Sequence, residues 1–285
     1  MVKNVVGVMI FFVCVAGLFM YNQQTGKAPL RFTNPQIEEI LREELQIPEY
    51  EKLTKEALLG VEDLRLTGLG LTDLDDLQDL KNLKTLDLSD NKLQSLDGIE
   101  ALPKLEGLIA TSNKIKDISA VAELKQLREL SVAGNKLTDL SPLKGMDRLT
   151  GLDIRMNAVE TIDVMASMPQ TMTFLCNENR ITSIDALKSL SGLRFLSIGT
   201  NPIQDITPIQ SLSQIEMLAI EKLNIEDVTW LAGLSNLTVL YAYDNRITDI
   251  EPLTKLTHLN TLWIKNNPIK DYAPLEKLEL AVLEK

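Results

Sequence analysis

Side chains that commonly carry chemistry are sparse in this chain. It has one histidine, His258, and two cysteines, Cys14 and Cys176. We find no serine or cysteine in a catalytic pattern with that histidine, no glycine-rich phosphate loop and no cysteine–histidine metal cluster. With one cysteine in the body of the chain, we expect the Cys176 thiol to be buried. The spacing therefore predicts no catalytic residue, no metal ligand set and no cofactor.

Carboxylates are abundant, but their arrangement is not that of a reactive site. Asp and Glu number 40 against 29 Lys and Arg, for a formal net charge of −11. This balance argues against nucleic acid as a partner, because nucleic acids recruit basic surfaces. The nearest approach to a cation site is Asp73, Asp75 and Asp76, which lack the spacing of a calcium-binding loop. We expect no carboxylate beside an apolar pocket that would raise its pKa, so a hydrolase is the least favoured class.

The amino terminus differs in composition from the rest. Residues 5–21 form an uncharged apolar run of 17 residues after Lys3, short for a bilayer span and long for the core of a signal peptide. Two alternatives stay open: an uncleaved membrane anchor, or a secretory signal cleaved after Ala16 or Gly17. Because Lys3 stays inside, both place the body outside the cytoplasm, anchored at the cell surface or secreted. The polar residues 22–31 then form a short tether.

From Val61 onward the sequence repeats every 22 residues without insertion or deletion. Ten units begin at Val61, Leu83, Leu105, Leu127, Leu149, Thr171, Leu193, Ile215, Leu237 and Leu259. Position four is leucine in nine units and Phe174 in the other, and position eleven is apolar in all ten. One unit cannot bury these side chains alone, so we predict that the units stack into a solenoid with one continuous core.

Polar residues also recur at fixed positions. Position nine is asparagine in eight units, at Asn91, Asn113, Asn135, Asn157, Asn179, Asn201, Asn245 and Asn267. An amide can donate to and accept from the backbone of buried turns, so we interpret this column as scaffold. Leu69 and Leu223 break it; at Leu223 we expect a local distortion that Asn224 partly compensates. Aspartates at position thirteen indicate turn capping.

The unit LKTLDLSDNKLQSLDGIEALPK (83–104) has the leucine-rich repeat pattern, and its 22-residue form resembles that of the bacterial internalins. Upstream, NPQIEEILREEL (34–45) resembles the helical cap of that family. Asn34 suits the N-cap of this helix and Pro35 its first position.

The resemblance implies an α/β solenoid in three parts. A helical cap covers residues 32–60, and ten leucine-rich repeats cover 61–280, with short parallel strands on the concave face and 3₁₀ or irregular segments on the convex face. Residues 281–285 form a carboxy-terminal tail. The resemblance also implies a Gram-positive bacterial source and a protein partner, either a host receptor or a bacterial envelope protein.

Strand geometry indicates which side chains reach solvent. Because strand side chains alternate, positions four and six face the core, and positions three, five and seven face outward on the concave wall. In the second half of the array these outward positions hold Leu175, Phe195, Met217, Val239, Tyr241, Tyr243 and Trp263, with Lys265 beside them. We call these eight residues the concave patch. Ala242 should be buried between the two tyrosines, and Glu221, Arg155 and Asp244 should form a polar rim.

The concave patch predicts a partner-binding surface. Contiguous exposed apolar surface marks interfaces, and Tyr and Trp dominate binding hot spots. Two alternatives stay open for this patch as well: the tail, 279–285, folds back over Trp263, or the wall mediates self-association. A different function is an intracellular regulatory scaffold similar to the leucine-rich repeat phosphatase regulators, which would require residues 1–21 to be irrelevant.

Overall fold

A parallel β-sheet of eleven strands, each three residues long, runs through the chain in sequence order. The computed structural model describes residues 30–285. The predicted anchor or signal at 5–21, and the tether at 22–31 except for its last two residues, lie outside the described residues. Within 30–285, no helix combines the length and the apolar character needed to cross a membrane.

In the part of the chain that the structure describes, residues 30–285, two helices precede the sheet: α1, Pro35–Glu44, and α2, Lys55–Leu58. The Asn34 side chain accepts a hydrogen bond from the backbone N–H of Gln36, and Pro35 begins the helix, as expected. Ile37 and Leu41 are buried against the repeats, so α1 covers the first end of the core. The carboxylate of Asp76 accepts hydrogen bonds from the backbone N–H groups of Thr33 and Asn34, which ties α1 to the first repeat.

The strands occupy positions three to five of each unit. They are β1 Asp63–Arg65, β2 Thr85–Asp87, β3 Gly107–Ile109, β4 Glu129–Ser131, β5 Gly151–Asp153, β6 Thr173–Leu175, β7 Phe195–Ser197, β8 Met217–Ala219, β9 Val239–Tyr241, β10 Thr261–Trp263 and β11 Val282–Glu284. The ladder continues beyond the strands; for example, the N–H of Leu66 donates to the carbonyl of Asp87. The tail supplies β11, which pairs with β10 and adds a strand beyond the ten expected.

The register is constant, so equivalent positions stand side by side. Leu64 pairs with Leu86, and the same pairing repeats through Leu240 with Leu262. Positions four and six are buried along the array and form one hydrophobic core. This confirms the predicted solenoid and its alternation, since a period of two sends every second side chain to the core.

The convex side consists of short 3₁₀ helices. They span Asp75–Leu77, Ile99–Ala101, Ser119–Glu123, Ser141–Leu143, Asp163–Ser167, Asp185–Ser189, Thr207–Ser211, Thr229–Gly233, Glu251–Lys255 and Ala273–Lys277. The aspartates at position thirteen cap these turns, as predicted. Asp139, for example, accepts hydrogen bonds from the backbone N–H and the hydroxyl of Ser141, and these bonds lower the pKa of its carboxyl group.

The asparagine column satisfies the buried turns. Asn113 accepts from the N–H of Leu93 and donates to carbonyls in its own unit and the preceding one. At the break, Asn224 does not supply the compensation that we expected. Its side chain is exposed and its φ is 57°, whereas Asn245 of the next unit accepts from the N–H groups of both Leu223 and Ile225.

Candidate partner-binding surface

The structure places all eight residues of the concave patch on the side of the sheet opposite the core. Each is partly buried. Six of them lie on β6 to β10, and Tyr243 and Lys265 lie two residues after the ends of β9 and β10. Ala242 is 0% exposed between Tyr241 and Tyr243, so the predicted orientation is correct. The large side chains shield one another, which explains why none of them is fully exposed.

Aromatic contacts give the patch a defined shape. The rings of Tyr241 and Trp263 meet edge to face, with centroids 5.3 Å apart and planes at 85°. The Lys265 Nζ lies 5.5 Å from the Trp263 ring centroid and 3.4 Å from the Glu284 carboxylate. At the other end, the Arg194 guanidinium lies 5.7 Å from the Phe195 ring centroid. Cations therefore already pack on aromatic faces at both ends of the patch.

The tail does not fold back across the wall. Residues Val282–Glu284 extend the sheet beside β10, with Glu284 paired to Trp263 in the register. The tail therefore lies beside Trp263 as the next strand of the sheet, not across the concave face. This differs from the alternative in which residues 279–285 cover the patch, and the reason is that β10 presents free backbone groups that a short parallel strand can pair with.

Between Leu175 and Tyr241, positions five and seven of the wall are occupied mainly by small side chains. Ser197 and Ala219 at position five, with Gly199 and Glu221 at position seven, are all buried. We call these four residues the recess. It is two strands wide and lies between Leu175 on one side and Tyr241 on the other.

Glu221 is buried in the recess, which we did not predict from the sequence. We expected a rim residue and no carboxylate with a raised pKa, yet Glu221 is 6% exposed. Its side chain lies across Gly199, where a Cβ atom would overlap the carboxylate. The pairing of glutamate with glycine at position seven of neighbouring units was the signal in the sequence that could have indicated this.

The environment of Glu221 disfavours its charged form. Burial raises the pKa of the Glu221 carboxyl, with a smaller contribution from Glu178; its own backbone N–H and Lys222 act in the opposite direction. Its Oε2 atom is the one buried side-chain nitrogen or oxygen of residues 30–285 that has no hydrogen-bond partner. Burial, followed by the nearby Glu221 charge, also raises the pKa of the Tyr243 hydroxyl.

The other predicted rim residues are held by neighbours. Arg155 donates to both carboxylate oxygens of Asp153, at 2.9 and 2.8 Å, and these bonds raise the pKa of the guanidinium. Asp244 accepts a hydrogen bond from the Asn266 side-chain amide at 2.7 Å. These two rim side chains are thus held in place by hydrogen bonds within the protein.

A second feature of the wall was missed from sequence. A groove of about 770 Å³ runs along the concave face of β1 to β6. Five of its lining residues are acidic and one is basic, namely Glu44, Asp63, Asp87, Glu129 and Asp153 against Arg65. We call it the acidic groove. Ile109 is 44% exposed on its floor, and Leu175 belongs both to this groove and to the concave patch.

The groups considered for chemistry have structural contacts. Cys176 is a buried free thiol, as predicted, and burial strongly raises its pKa. The Nδ1 atom of His258 lies 2.9 Å from the Ser235 carbonyl oxygen. Within the described residues, no group of three or more histidine, cysteine or acidic side chains could hold a metal ion.

The repeats, the asparagine column and the parallel sheet define the class of protein. A family model described as leucine-rich repeats in two copies matches residues 81–123, 173–211 and 235–277. No curated protein is similar enough in sequence to count as a relative. The chain has the leucine-rich repeat fold.

Solved structures narrow the class further. An internalin, InlF, from Listeria monocytogenes is 26% identical, with 92% of this chain and 98% of that chain covered and a TM-score of 0.50. Internalin C2 from the same organism is 28% identical, with 88% and 93% covered and a TM-score of 0.50. The plant peptide hormone receptor RGFR1 in complex with RGF2 shares the fold alone, at 16% identity and a TM-score of 0.59 over 75% of this chain and 38% of that chain. The protein is an internalin-like leucine-rich repeat protein, a class associated with protein–protein interaction.

Proposed function

We propose that this protein binds a protein partner outside the cytoplasm through its concave patch. The observation that carries the proposal is the contiguity of partly exposed apolar side chains on five neighbouring strands. In the same units, the side chains at positions four and six are buried in the core. An apolar surface of this kind is stabilised when a partner removes it from water.

The sheet makes the patch a rigid platform. Strands β6 to β10 span four inter-strand steps, or about 19 Å. Each of these five strands is paired on both sides by backbone hydrogen bonds, so the backbone that carries the aromatic rings has little freedom to lose on binding. Ordering costs are a main reason why interfaces of equal area differ in affinity. A pre-ordered wall that carries Tyr241 and Trp263 in edge-to-face contact therefore suits a specific partner.

The location and the partner's source rest on sequence and similarity. The apolar residues 5–21 support export, as a membrane anchor or a cleaved signal. The similarity to internalins supports a host receptor or a bacterial envelope protein as the partner.

Alanine substitution of the aromatic side chains tests the binding surface. Tyr241→Ala, Tyr243→Ala and Trp263→Ala should each weaken partner binding by about 2 kcal/mol or more, because Tyr and Trp side chains are enriched among binding hot spots. Thermal stability should change little, since these rings lie outside the core. Binding is measured on proteins captured by the full-length chain from extracts of bacterial envelopes and of host cell surfaces.

Two variants serve as controls. Tyr50→Ala removes a tyrosine that is 86% exposed on the cap, and it should leave both binding and stability unchanged. Leu240→Ala should cost about 2–5 kcal/mol of stability by opening a cavity in the core. Equal capture of the same proteins by wild type and by all three aromatic variants would refute the proposal, and unfolding of those variants would refute the assignment of faces.

A further inference from the structure

The recess interrupts the row of large side chains on the concave wall and holds one charged group. Position five runs Leu175, Ser197, Ala219, Tyr241 on successive strands, and position seven runs Asn177, Gly199, Glu221, Tyr243. Three inter-strand steps separate the first and last strands of each row, or about 14 Å. At positions five and seven the two middle units carry small side chains, apart from Glu221, while Phe195 and Met217 lie at position three of the same strands. The row of large side chains at positions five and seven is therefore interrupted at these two units.

Glu221 is poorly satisfied where it lies. Buried polar atoms in native proteins nearly always have hydrogen-bond partners, and an exception needs a physical reason. The unpaired Oε2 of Glu221 is such an exception. An ionised carboxylate that leaves water without a partner is costly, so the free protein keeps a destabilising group in this position. Gly199 creates the room for it, because any larger residue would displace the carboxylate.

The charges around Glu221 favour a cation as its missing partner. Lys222 stabilises the carboxylate and Glu178 opposes it, while Tyr243 faces it from the next unit. Asp244, which acts on the Tyr243 hydroxyl, adds a further negative charge at the edge. Beyond Leu175 the acidic groove has more acidic than basic lining residues; Asp153 and Asp87 are paired with Arg155 and Arg65, and Glu44, Asp63 and Glu129 add negative charge toward the amino-terminal end of the wall.

We propose that the recess receives a lysine or arginine side chain from a basic segment of the partner, which pairs with the Glu221 carboxylate between Leu175 and the two tyrosines. This inference rests on the proposed function, because it assigns partner chemistry to the same wall. The Glu221 carboxylate turns outward from Gly199 to meet the cation, which supplies the hydrogen-bond donor that Oε2 lacks, and Tyr243 supplies an aromatic surface beside it. The rest of the basic segment follows the acidic groove.

Other occupants fit less well. A metal ion requires several oxygen ligands, and within residues 30–285 no cluster of three candidate ligands exists. An anion would be repelled by Glu178, Glu221 and Asp244. A purely apolar side chain would leave Oε2 buried and unpaired, at the same cost as in the free protein.

Selection from a displayed library of random short peptides tests the inference. The full-length chain is purified in detergent and used as bait, and recovered peptides are compared with those recovered by Glu221→Gln. We expect wild type to enrich lysine or arginine at one position and the variant to lose that preference. For a selected peptide, changing its lysine to methionine should weaken binding to wild type about tenfold or more and have little effect on binding to Glu221→Gln.

The matched control is Glu160→Gln, which removes one negative charge from an exposed position outside the concave wall. It should select the same peptides as wild type, since pairing in the recess is local. One outcome would overturn this inference and leave the proposed function intact: selected peptides whose binding needs Trp263 but needs neither Glu221 nor a basic residue in the peptide. Peptides that bind Trp263→Ala as well as wild type would instead contradict the proposed function. Recovery of no peptide would count against both.

Discussion

At the scale of single residues, Glu221 and Gly199 decide the character of the wall. The glycine has no side chain, so the carboxylate of the next unit lies across it and leaves water. The recess and the raised pKa of Glu221 both follow from this contact. In most other units the position-seven side chain stays at least partly in solvent. The absence of a side chain at Gly199 therefore permits the burial that raises the pKa of Glu221 in the next unit.

This arrangement predicts a pH-dependent stability difference. Because the pKa of Glu221 lies above its ordinary value of 4.5 in the folded chain, the folded state binds its proton more tightly than the unfolded state. The resulting stability is fully present below pH 4.5 and is lost as pH rises through the raised pKa. Glu221→Gln should thus be more stable than wild type at pH 7, by about 1–3 kcal/mol, and nearly equal near pH 4.

Urea denaturation at several pH values measures this difference. Other carboxylates, such as Asp139 with its lowered pKa, titrate in both proteins and cancel in the comparison. Gly199→Ala provides a second check, because it forces the carboxylate out and should bring the pKa of Glu221 toward its ordinary value. A difference between wild type and Glu221→Gln that does not vary with pH would contradict a raised pKa at this residue.

At the scale of elements, the asparagine column joins each turn to its neighbours. Asn113 makes hydrogen bonds with four backbone groups. Asn245 makes them with five, because it accepts from two N–H groups where Leu223 breaks the column. The eighth repeat keeps its geometry through the asparagine of the ninth.

We therefore expect Asn245→Ala to destabilise the protein more than Asn113→Ala. Each buried backbone group that loses its partner costs about 1–3 kcal/mol, and Asn245 has one more such group. The extra loss should be about 1 kcal/mol or more in chemical denaturation followed by circular dichroism. Equal losses for the two variants would mean that Leu223 and Ile225 find other partners in the variant.

At the scale of the whole molecule, the core is continuous from the cap through β10 to Leu275 in the last 3₁₀ helix. Helix α1 covers the first repeat, and ten units stack in one register. Leu283 in β11 is 39% exposed, whereas its neighbour Leu262 in β10 is 0% exposed. The wall, the acidic groove and the recess lie on one continuous sheet. The partner available to this surface depends on where the protein is located.

Protease treatment of intact cells, with mass spectrometry of the mature amino terminus, tests the proposed location. We expect cleavage of the protein from outside, because residues 5–21 are apolar and follow Lys3. Retention of Met1 would identify an anchored form, and a start near Gly17 or Leu18 a secreted one. Protection from protease with Met1 retained would contradict export and favour the intracellular scaffold.

Much of the fold follows from the sequence by itself. The 22-residue period, the buried positions and the outward direction of Tyr241 and Tyr243 depend on patterns within one unit, and strand geometry converts such patterns directly into faces. The asparagine column was predictable for the same reason. Each unit has to bury the same apolar positions and satisfy the same turn, so the pattern can be recognised from ten separate copies.

Only the tertiary structure decided how side chains of neighbouring units meet. The burial of Glu221 depends on Gly199, which is 22 residues away in sequence and one strand away in space. Similarly, Asn245 rather than Asn224 bonds the backbone at Leu223, and the tail pairs with β10 instead of folding over Trp263. Contacts between strands depend on the size of two side chains at once and on their register. A period read along the chain contains no direct information about such pairs.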